Sequence, residues 1–295
     1  MKDKIVIGID FGGTKIKTAA VSESGELLSE PVIASTEAER PADEIIVSMY
    51  KTVNETLEKA ELRIEDVIGI GIGSPGPLDL ERGIILNTPN LPTLRNFHLK
   101  EKIEQQFNVP VAVNNDANCF VLGEAFWGAG KDLNIVCGVT LGTGFGCGIV
   151  LNKTIYSGAT GTAAEVWNSS YLDLNFEEYG AARGVVMAYR KITGQKSTAL
   201  DIHNKAKSGE DTALHAWNEY GVHLGKIIAI MVNYMDPDVF VIGGSVGNAF
   251  PFFEKSMIEN IHKHINPIPQ EHLKILHAKL GNDAGVLGAA AQLFD

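Results

Sequence analysis

The chain has 295 residues, 45% of them hydrophobic, and a formal net charge of −11 from 25 Lys+Arg against 36 Asp+Glu. That length and apolar content suit one large or two medium domains with a real core, and with no basic run to offset the acid excess they argue against a nucleic-acid or anionic-membrane surface. No apolar run approaches the roughly 18 residues of a membrane span. No leader pattern precedes the first strand, and Cys119, Cys137 and Cys147 lie far apart in apolar or glycine-rich settings with no C-x-x-C, so free, mostly buried thiols in a reducing cytoplasm are expected.

The run "KIVIGIDFGGTKIKTAAVS" predicts a strand, a glycine turn and a second strand. "ELLSEPVIAST" follows as a third, with Pro31 marking an edge or a bulge. Residues 45, 46, 49, 53 and 57 are apolar at helical spacing. "DVIGIGIGSPGP" reads as a buried strand into a turn, "LKEKIEQQF" as a short helix, "VPVAVNND" as a strand and "ANCFVLGEAFWGA" as a helix. Strands alternating with helices imply an α/β domain over 1–117. Then "NIVCGVTLGTGFGCGIVLN" repeats the opening pattern of two apolar arms around a glycine tip, a weak internal repeat that suggests two related domains. Downstream, "FEEYGAARGVVMAYRKITG" and "ALHAWNEYGVHLGKIIAIMVNYM" predict helices, the second stopped by Asp236-Pro237. "VFVIGGSVG" and "LKILHAKL" predict strands, and "FFEKSMIENIHKHI" and "AGVLGAAAQLF" predict helices. No low-complexity linker intervenes, so the domains should meet at a hinge near the 115–130 helix.

Candidate chemistry gathers where strands end. In Asp10-Phe11-Gly12-Gly13-Thr14-Lys15, glycines at a strand-to-strand tip let backbone N–H groups approach an anion closely. Asp10 could hold Mg²⁺ through water; the plainer reading is a tight hairpin with an acid in its turn. The motif is neither a Walker loop nor a dinucleotide fingerprint, because its glycines lead into a strand. Leu141-Gly142-Thr143-Gly144 is the matching tip of the second half, and two tips together would make a paired phosphate cradle. Asn114-Asn115-Asp116 ends a strand just before a helix, where α/β sheets bind ligands. Asp116 could accept a proton from an attacking hydroxyl, or it or an asparagine could simply cap the helix. Gly243-Gly244-Ser245 is either a flat surface for a nucleotide or a plain turn. In "SGATGTAAEVWNSSYLDLNFEEYG" (157–180), the glycines at 158 and 161 would let a loop bend around a small ligand. Glu165 and Glu178 could then bind hydroxyls; the plainer reading is an exposed loop with solvated acids, favoured for Glu177 and open for Glu178, and which of Glu177 and Glu178 would take the sugar stays open. No histidine lies between His98 and His203, so Ser-His-Asp or Cys-His chemistry has no support.

Taken in register, "GIDFGGTKIK", "GSPGPLD", "TPNLP", "VPVAVNNDANCFVLGEA", "TLGTGFGCGIV", "GATGTAAE", "PDVFVIGGSV" and "NDAGVLGAA" resemble the ROK family of sugar kinases and related repressors, within the actin/hexokinase/Hsp70-like ATPase superfamily. The resemblance implies two actin-like, ribonuclease H-like α/β domains, 1–117 and 118–295, closing over a cleft, with the last helix, about 284–295, packing back on the first domain. ATP phosphates would lie at Gly12, Gly13, Thr14 and Lys15 and at Gly142, Thr143 and Gly144, with adenosine near Gly243, Gly244 and Ser245. Asp10 would organise Mg²⁺, and Asp116 would be the general base on a hexose hydroxyl, usually the 6-OH. Gly76, Asn90, Asn115, Glu165, Asn168 and Glu178 would hold the sugar. A homodimer or homotetramer is implied.

The chain departs from the family at one place. The common Glu-x-Gly-His is here Glu165-Val166-Trp167-Asn168, and the Cys-x-Cys-Gly-x-x-Gly-Cys-x-Glu segment reads "YLDLNFEEYGAA", with Phe176 at the last cysteine and Glu178 at the glutamate. A structural zinc needs about four N/S ligands, so no zinc is expected, and Phe176 should pack in its place. Leu94 stands where "NLP" is often followed by tryptophan. These departures leave the sugar open among glucose, fructose, mannose, allose, N-acetylated hexosamines and β-glucosides. A repressor of the family would need a helix-turn-helix ahead of the first strand, where only a few residues stand here. The remaining alternative is a sugar-binding regulatory protein of the same fold without catalysis.

Overall fold

Each half of the chain builds a five-stranded sheet of the same design. The computed structural model describes residues 3–294. In chain order the first half runs β1 (Ile5–Phe11), β2 (Lys15–Ser22), β3 (Val32–Ser35), α1 (Ala42–Lys59), β4 (Gly69–Ser74), β5 (Leu78–Asp79), β6 (Ile84–Ile85), α2 (Leu99–Phe107), β7 (Val111–Asn115) and α3 (Asp116–Trp127). The remainder runs β8 (Ile135–Leu141), β9 (Phe145–Leu151), β10 (Thr154–Ile155), β11 (Ser170–Tyr171), β12 (Leu174–Asn175), α4 (Phe176–Gly180), α5 (Ala182–Thr193), α6 (Ala199–Lys207), α7 (Asp211–Met235), β13 (Val239–Gly243), α8 (Phe250–His264), α9 (Pro267–His272), β14 (Lys274–His277) and α10 (Ala284–Ala291).

The sheet orders are β3-β2-β1-β4-β7 and β10-β9-β8-β13-β14. Within each sheet the strands therefore lie third, second, first, fourth, fifth. β1 pairs antiparallel with β2 and parallel with β4, which pairs parallel with β7. In the second sheet β10 and β9 pair antiparallel, and β8, β13 and β14 pair parallel. The faint repeat in the sequence is thus a repeat of topology. Both central strands are continuous apolar runs because parallel strands bury both faces; Val6, Ile7, Ile9 and Phe11 of β1 are fully buried. The five positions expected to face the core from α1, Ile45, Ile46, Met49, Val53 and Leu57, are all buried.

Two compact units result, one of Met1–Asp132, Gly148–Ala163 and Asn282–Asp295, the other of Leu133–Cys147 and Ala164–Gly281. The boundary expected after residue 117 would fall inside α3. The units divide after that helix instead, because α3 packs against β4, β7 and α10 of the first unit. α10 also lies on β1 and β4. It comes close enough that a Cβ on Gly71 would stand 1.8 Å from the Ala289 carbonyl oxygen, and one on Gly288 would stand 1.6 Å from that of Cys119. Lys17, only 5% exposed, ties β2 to the start of this helix by donating to the Asn282 carbonyl at 2.9 Å and pairing with Asp283.

One element differs from expectation. The segment from Phe176 to Thr193, expected as a single helix, is two. Ala181 is extended (φ −86°, ψ −176°), and the Ala182 N–H donates at 2.9 Å to the Gly142 carbonyl rather than continuing a helical ladder. The 199–207 and 267–272 helices and the β11–β12 hairpin were not legible in the apolar pattern. Among the described residues no helix is long and apolar enough to cross a membrane.

Candidate functional site

In the first unit the candidates meet at the carboxyl ends of three parallel strands. Asp10 of β1 is in register with Gly73 of β4, and Gly73 with Asn114 of β7. At ~4.8 Å per strand this sets Asp10 and Asn114 about 10 Å apart along one row. The β1–β2 tip is a closed turn: the Gly12 N–H donates to the Lys15 carbonyl at 2.9 Å. Thr36 pins it from β3's end, its hydroxyl donating to the Gly12 carbonyl at 2.6 Å and its N–H to the Thr14 carbonyl at 2.9 Å. Thr14 and Lys15 are exposed. Gly13 has no room for a side chain, since a Cβ there would lie 2.6 Å from the Asn90 carbonyl oxygen. Asn90, itself exposed, therefore sits against the β1–β2 tip. Gly76 is half-buried between β4 and β5.

The helix cap that was weighed against a base role falls to Asn115. Its Oδ1 accepts the Ala117 and Asn118 N–H groups at 2.9 and 3.3 Å. Asp116 is the first residue of α3, half-buried, with Oδ1 accepting the Ala117 N–H at 2.9 Å. A carboxylate at a helix N-terminus is stabilised by the dipole. Burial pushes the Cys119 thiol well up, and the charges of Asp116 and Asp10 push it further, so both acids act on one buried sulfur.

Asp10 carries opposing influences. Burial raises its carboxyl, while Lys15 and then Lys17 lower it, and the raise wins. The first turn of α10 covers the acid closely, a Cβ on Gly285 falling 3.0 Å from its carboxyl group. Among the described residues no group of three or more His, Cys, Asp or Glu could hold a metal ion. The lone Asp10 carboxylate is compatible with Mg²⁺ held through water, since that ion keeps several waters and takes one or two carboxylates plus substrate phosphates.

In the second unit the glycine tip and the 243–245 turn meet. Gly243 of β13 is in register with Thr140 of β8. Gly244 has φ +85° and packs on Leu141, where a Cβ would meet backbone at 2.4 Å, so only glycine fits there. Ser245 Oγ would be 3.4 Å from a Cβ on Gly142. Glu165 and Asn168 are exposed. The part of the Glu165 carboxyl that is shielded from water raises it, partly offset by a hydrogen bond with Trp167. The N–H of Glu178 is capped by Asn175 Oδ1 at 2.9 Å.

Glu177 is not the solvated acid expected. It is half-buried. Its Oε2 accepts the Phe145 N–H at the end of the glycine tip (3.2 Å), its Oε1 accepts from Arg183 Nη2 at 2.6 Å, and Arg183 Nη1 also pairs with Glu178. Arg183 went unread because Glu177 and Arg183 are six residues apart, a spacing that no helix brings together; the break at Ala181 does so. Lys17 and Gly285 went unread as well, since each acts through a segment more than 260 residues distant.

At the expected position of a zinc ligand, Phe176 is 4% exposed. It packs edge-on against Phe145 and Tyr171, with centroids 6.4 and 6.2 Å apart. Tyr171 in turn packs on Tyr179 and shares a 3.2 Å hydrogen bond with His223. Phe176→Ala should cost about 3–5 kcal/mol of unfolding free energy, the usual loss for an emptied aromatic site, read by urea melts of the two proteins. A loss below about 1 kcal/mol, well short of that range, would mean the cluster does not hold this corner.

The ROK family model matches residues 6–294. A glucokinase of Halalkalibacterium halodurans is 31% identical over 98% of this chain and 94% of its own length. An N-acetyl-D-glucosamine kinase of Vibrio cholerae is also 31% identical, over 96% and 97%. Among solved structures, a ROK family glucokinase from Streptomyces griseus in complex with glucose and AMPPNP superposes with TM-score 0.82 at 28% identity, covering 97% of this chain and 98% of that one. With a family match that runs from the first strand to the last helix, over the glycine tips and the strand-end acids alike, the chain belongs to the ROK family.

Proposed function

We infer that this protein is an ATP-dependent carbohydrate kinase that transfers the γ-phosphate to a hydroxyl, the 6-OH, of a hexose or hexose derivative, with Asp116 as general base. The observation that carries this reading is Asp116 at the N-terminus of α3, directly after the capping Asn115 and two residues beyond Asn114, which shares a sheet row with Asp10. Glucokinase and N-acetylglucosamine kinase relatives support the substrate class, and the AMPPNP complex of a relative supports ATP.

The chemistry follows from these groups. The hydroxyl oxygen attacks the γ-phosphorus, its proton passes to the Asp116 carboxylate, and the bond from the γ-phosphorus to the bridging oxygen breaks to release ADP. Asn90, Asn115, Glu165, Asn168 and Glu178, with the Gly76 backbone, would hold the remaining sugar hydroxyls. The tips at 12–15 and 142–144 would offer backbone N–H groups to the phosphates, with Gly243, Gly244 and Ser245 beside adenosine. Mg²⁺, when bound, would neutralise charge on the β- and γ-phosphates, and Asp10 is the residue that would hold it through water. A cytoplasmic homodimer or homotetramer belongs to the same reading.

The test is ADP release with glucose, N-acetylglucosamine, fructose, mannose, allose, N-acetylmannosamine and cellobiose. Turnover is expected with at least one of these sugars. ADP release with none of them would overturn the kinase reading in favour of a sugar-binding protein.

Asp10 adds a pH dependence. Its folded carboxyl titrates above the ordinary value of 3.8, so its ionisation is complete only at higher pH, and Mg²⁺-dependent turnover should fall on the acid side. The same raise favours folding below the ordinary value, and that contribution is lost as pH rises through the folded one. Lys15 is the larger of the two charges that restrain the raise. Lys15→Met should therefore move the acid limb of kcat/KM to higher pH, whatever it does to the plateau. A limb that stays in place or moves down would show that Asp10 does not set it.

A further inference from the structure

We propose that Glu177, with Arg183 as its counter-ion, is a positioning residue that braces the second-unit glycine tip for the nucleotide phosphates and ties it to the sugar-side loop. This rests on the kinase reading above.

The bracing is visible from both sides of the acid. On the tip side, Glu177 Oε2 accepts the Phe145 N–H at 3.2 Å, and Gly144 lies so near that a Cβ there would stand 3.0 Å from the same oxygen. On the loop side, the Glu177 N–H donates to the Trp167 carbonyl at 3.0 Å, two residues beyond Glu165. One residue therefore links Glu165-Val166-Trp167-Asn168 to Gly142-Thr143-Gly144. The break at Ala181 supplies the second brace, sending the Ala182 N–H to the Gly142 carbonyl at 2.9 Å. Tyr220 fixes that corner by donating to the Gly180 carbonyl at 2.6 Å.

A carboxylate beside an anion cradle needs its charge offset, because like charges in a partly dry site repel strongly. Arg183 provides this with a fork across both acids, Glu177 at 2.6 Å and Glu178 beside it. A guanidinium presents several fixed donors and can bridge two carboxylates, which an ammonium does less well. The arrangement keeps Glu177 as a mechanical strut, with Glu178 held by the same guanidinium.

The experiment is calorimetric binding of Mg²⁺–AMPPNP, and separately of glucose and N-acetylglucosamine, to the full chain and to E177A, E177Q, R183A and R183K, with melting temperatures alongside. E177A should weaken AMPPNP about tenfold, the worth of one charge-assisted hydrogen bond, with sugar affinity and melting temperature little changed. E177Q, whose amide oxygen can still accept the Phe145 N–H, should recover most of that loss. R183A should weaken AMPPNP most at low salt and progressively less as salt screens the bared carboxylates, and R183K should restore part of it. E177A binding AMPPNP like the parent would overturn the strut alone. So would equal losses of nucleotide and sugar accompanied by a drop in melting temperature, which would reduce Glu177 to general packing. A parent chain that takes up no AMPPNP would overturn both the kinase reading and the strut.

Discussion

Asp116→Asn is expected to lower kcat by about 10²–10⁴-fold with little change in the KM for sugar, because a general base acts mainly in the transition state. The substitution is close to isosteric. The amide that replaces the carboxylate keeps an oxygen for the Ala117 N–H, and the helix cap is unaffected because Asn115 makes it. The favourable placement of a negative charge on the α3 dipole is lost, about 0.3–1 kcal/mol. The variant should therefore fold, bind sugar and bind AMPPNP. Steady-state turnover on the best sugar of the panel, with calorimetric sugar binding as the control, separates the two effects. Turnover within about tenfold of the parent, below the range for a lost general base, would remove Asp116 from that role, and loss of sugar binding would assign it to substrate holding instead.

Gly288→Ala is expected to produce the largest loss of stability among single methyl additions in this chain. A Cβ there would fall 1.6 Å from the Cys119 carbonyl oxygen, an atom of the α3 backbone, so a whole helix must give way rather than the end of a side chain. On the facing helix, a Cβ on Gly123 would lie 2.5 Å from the Ala284 carbonyl oxygen. The two helices thus approach through glycines on both sides. Overpacking of this kind costs about 3 kcal/mol or more, which at roughly 2–4 °C per kcal/mol lowers Tm by about 6–12 °C. Activity should fall with it, because α10 carries Gly285 onto Asp10. Gly194→Ala is the contrast: φ there is +73° but nothing lies within 4 Å, so only the left-handed penalty, about 1 kcal/mol, applies. Equal Tm values for the two variants would show that the α3–α10 crossing is not tightly packed.

Elements with a strong local period were legible. β1 and β2 carry a continuous apolar run broken by glycines, α1 carries five core positions at helical spacing, and α7 ends where Asp236, with φ 43°, precedes Pro237. Each signal comes from residues adjacent in the chain, where burial or backbone restriction acts on consecutive positions. The candidate acids were legible for the same reason, since Asp10 and Asp116 stand at the ends of readable strands. The family motifs, spread in register over the chain, added which chemistry those ends would perform.

What the sequence by itself determined, then, was the alternation of elements, the repeat, the absence of zinc-ligand spacing and the identity of the strand-end acids. Tertiary structure decided the rest. It assigned the cap to Asn115 and so left Asp116 as the first helical residue, which a single-residue register difference would have reversed. It broke the helix at Ala181 because the Gly142 carbonyl competes for the Ala182 N–H. That break placed Arg183 on Glu177 and turned an acid read as solvated into a partner of the glycine tip. It also buried Lys17 against Asp283 and Gly285 against Asp10, pairings across more than 260 residues. Such contacts depend on how packed elements meet, and no local period or propensity encodes the meeting of two segments whose closure is set by the core between them.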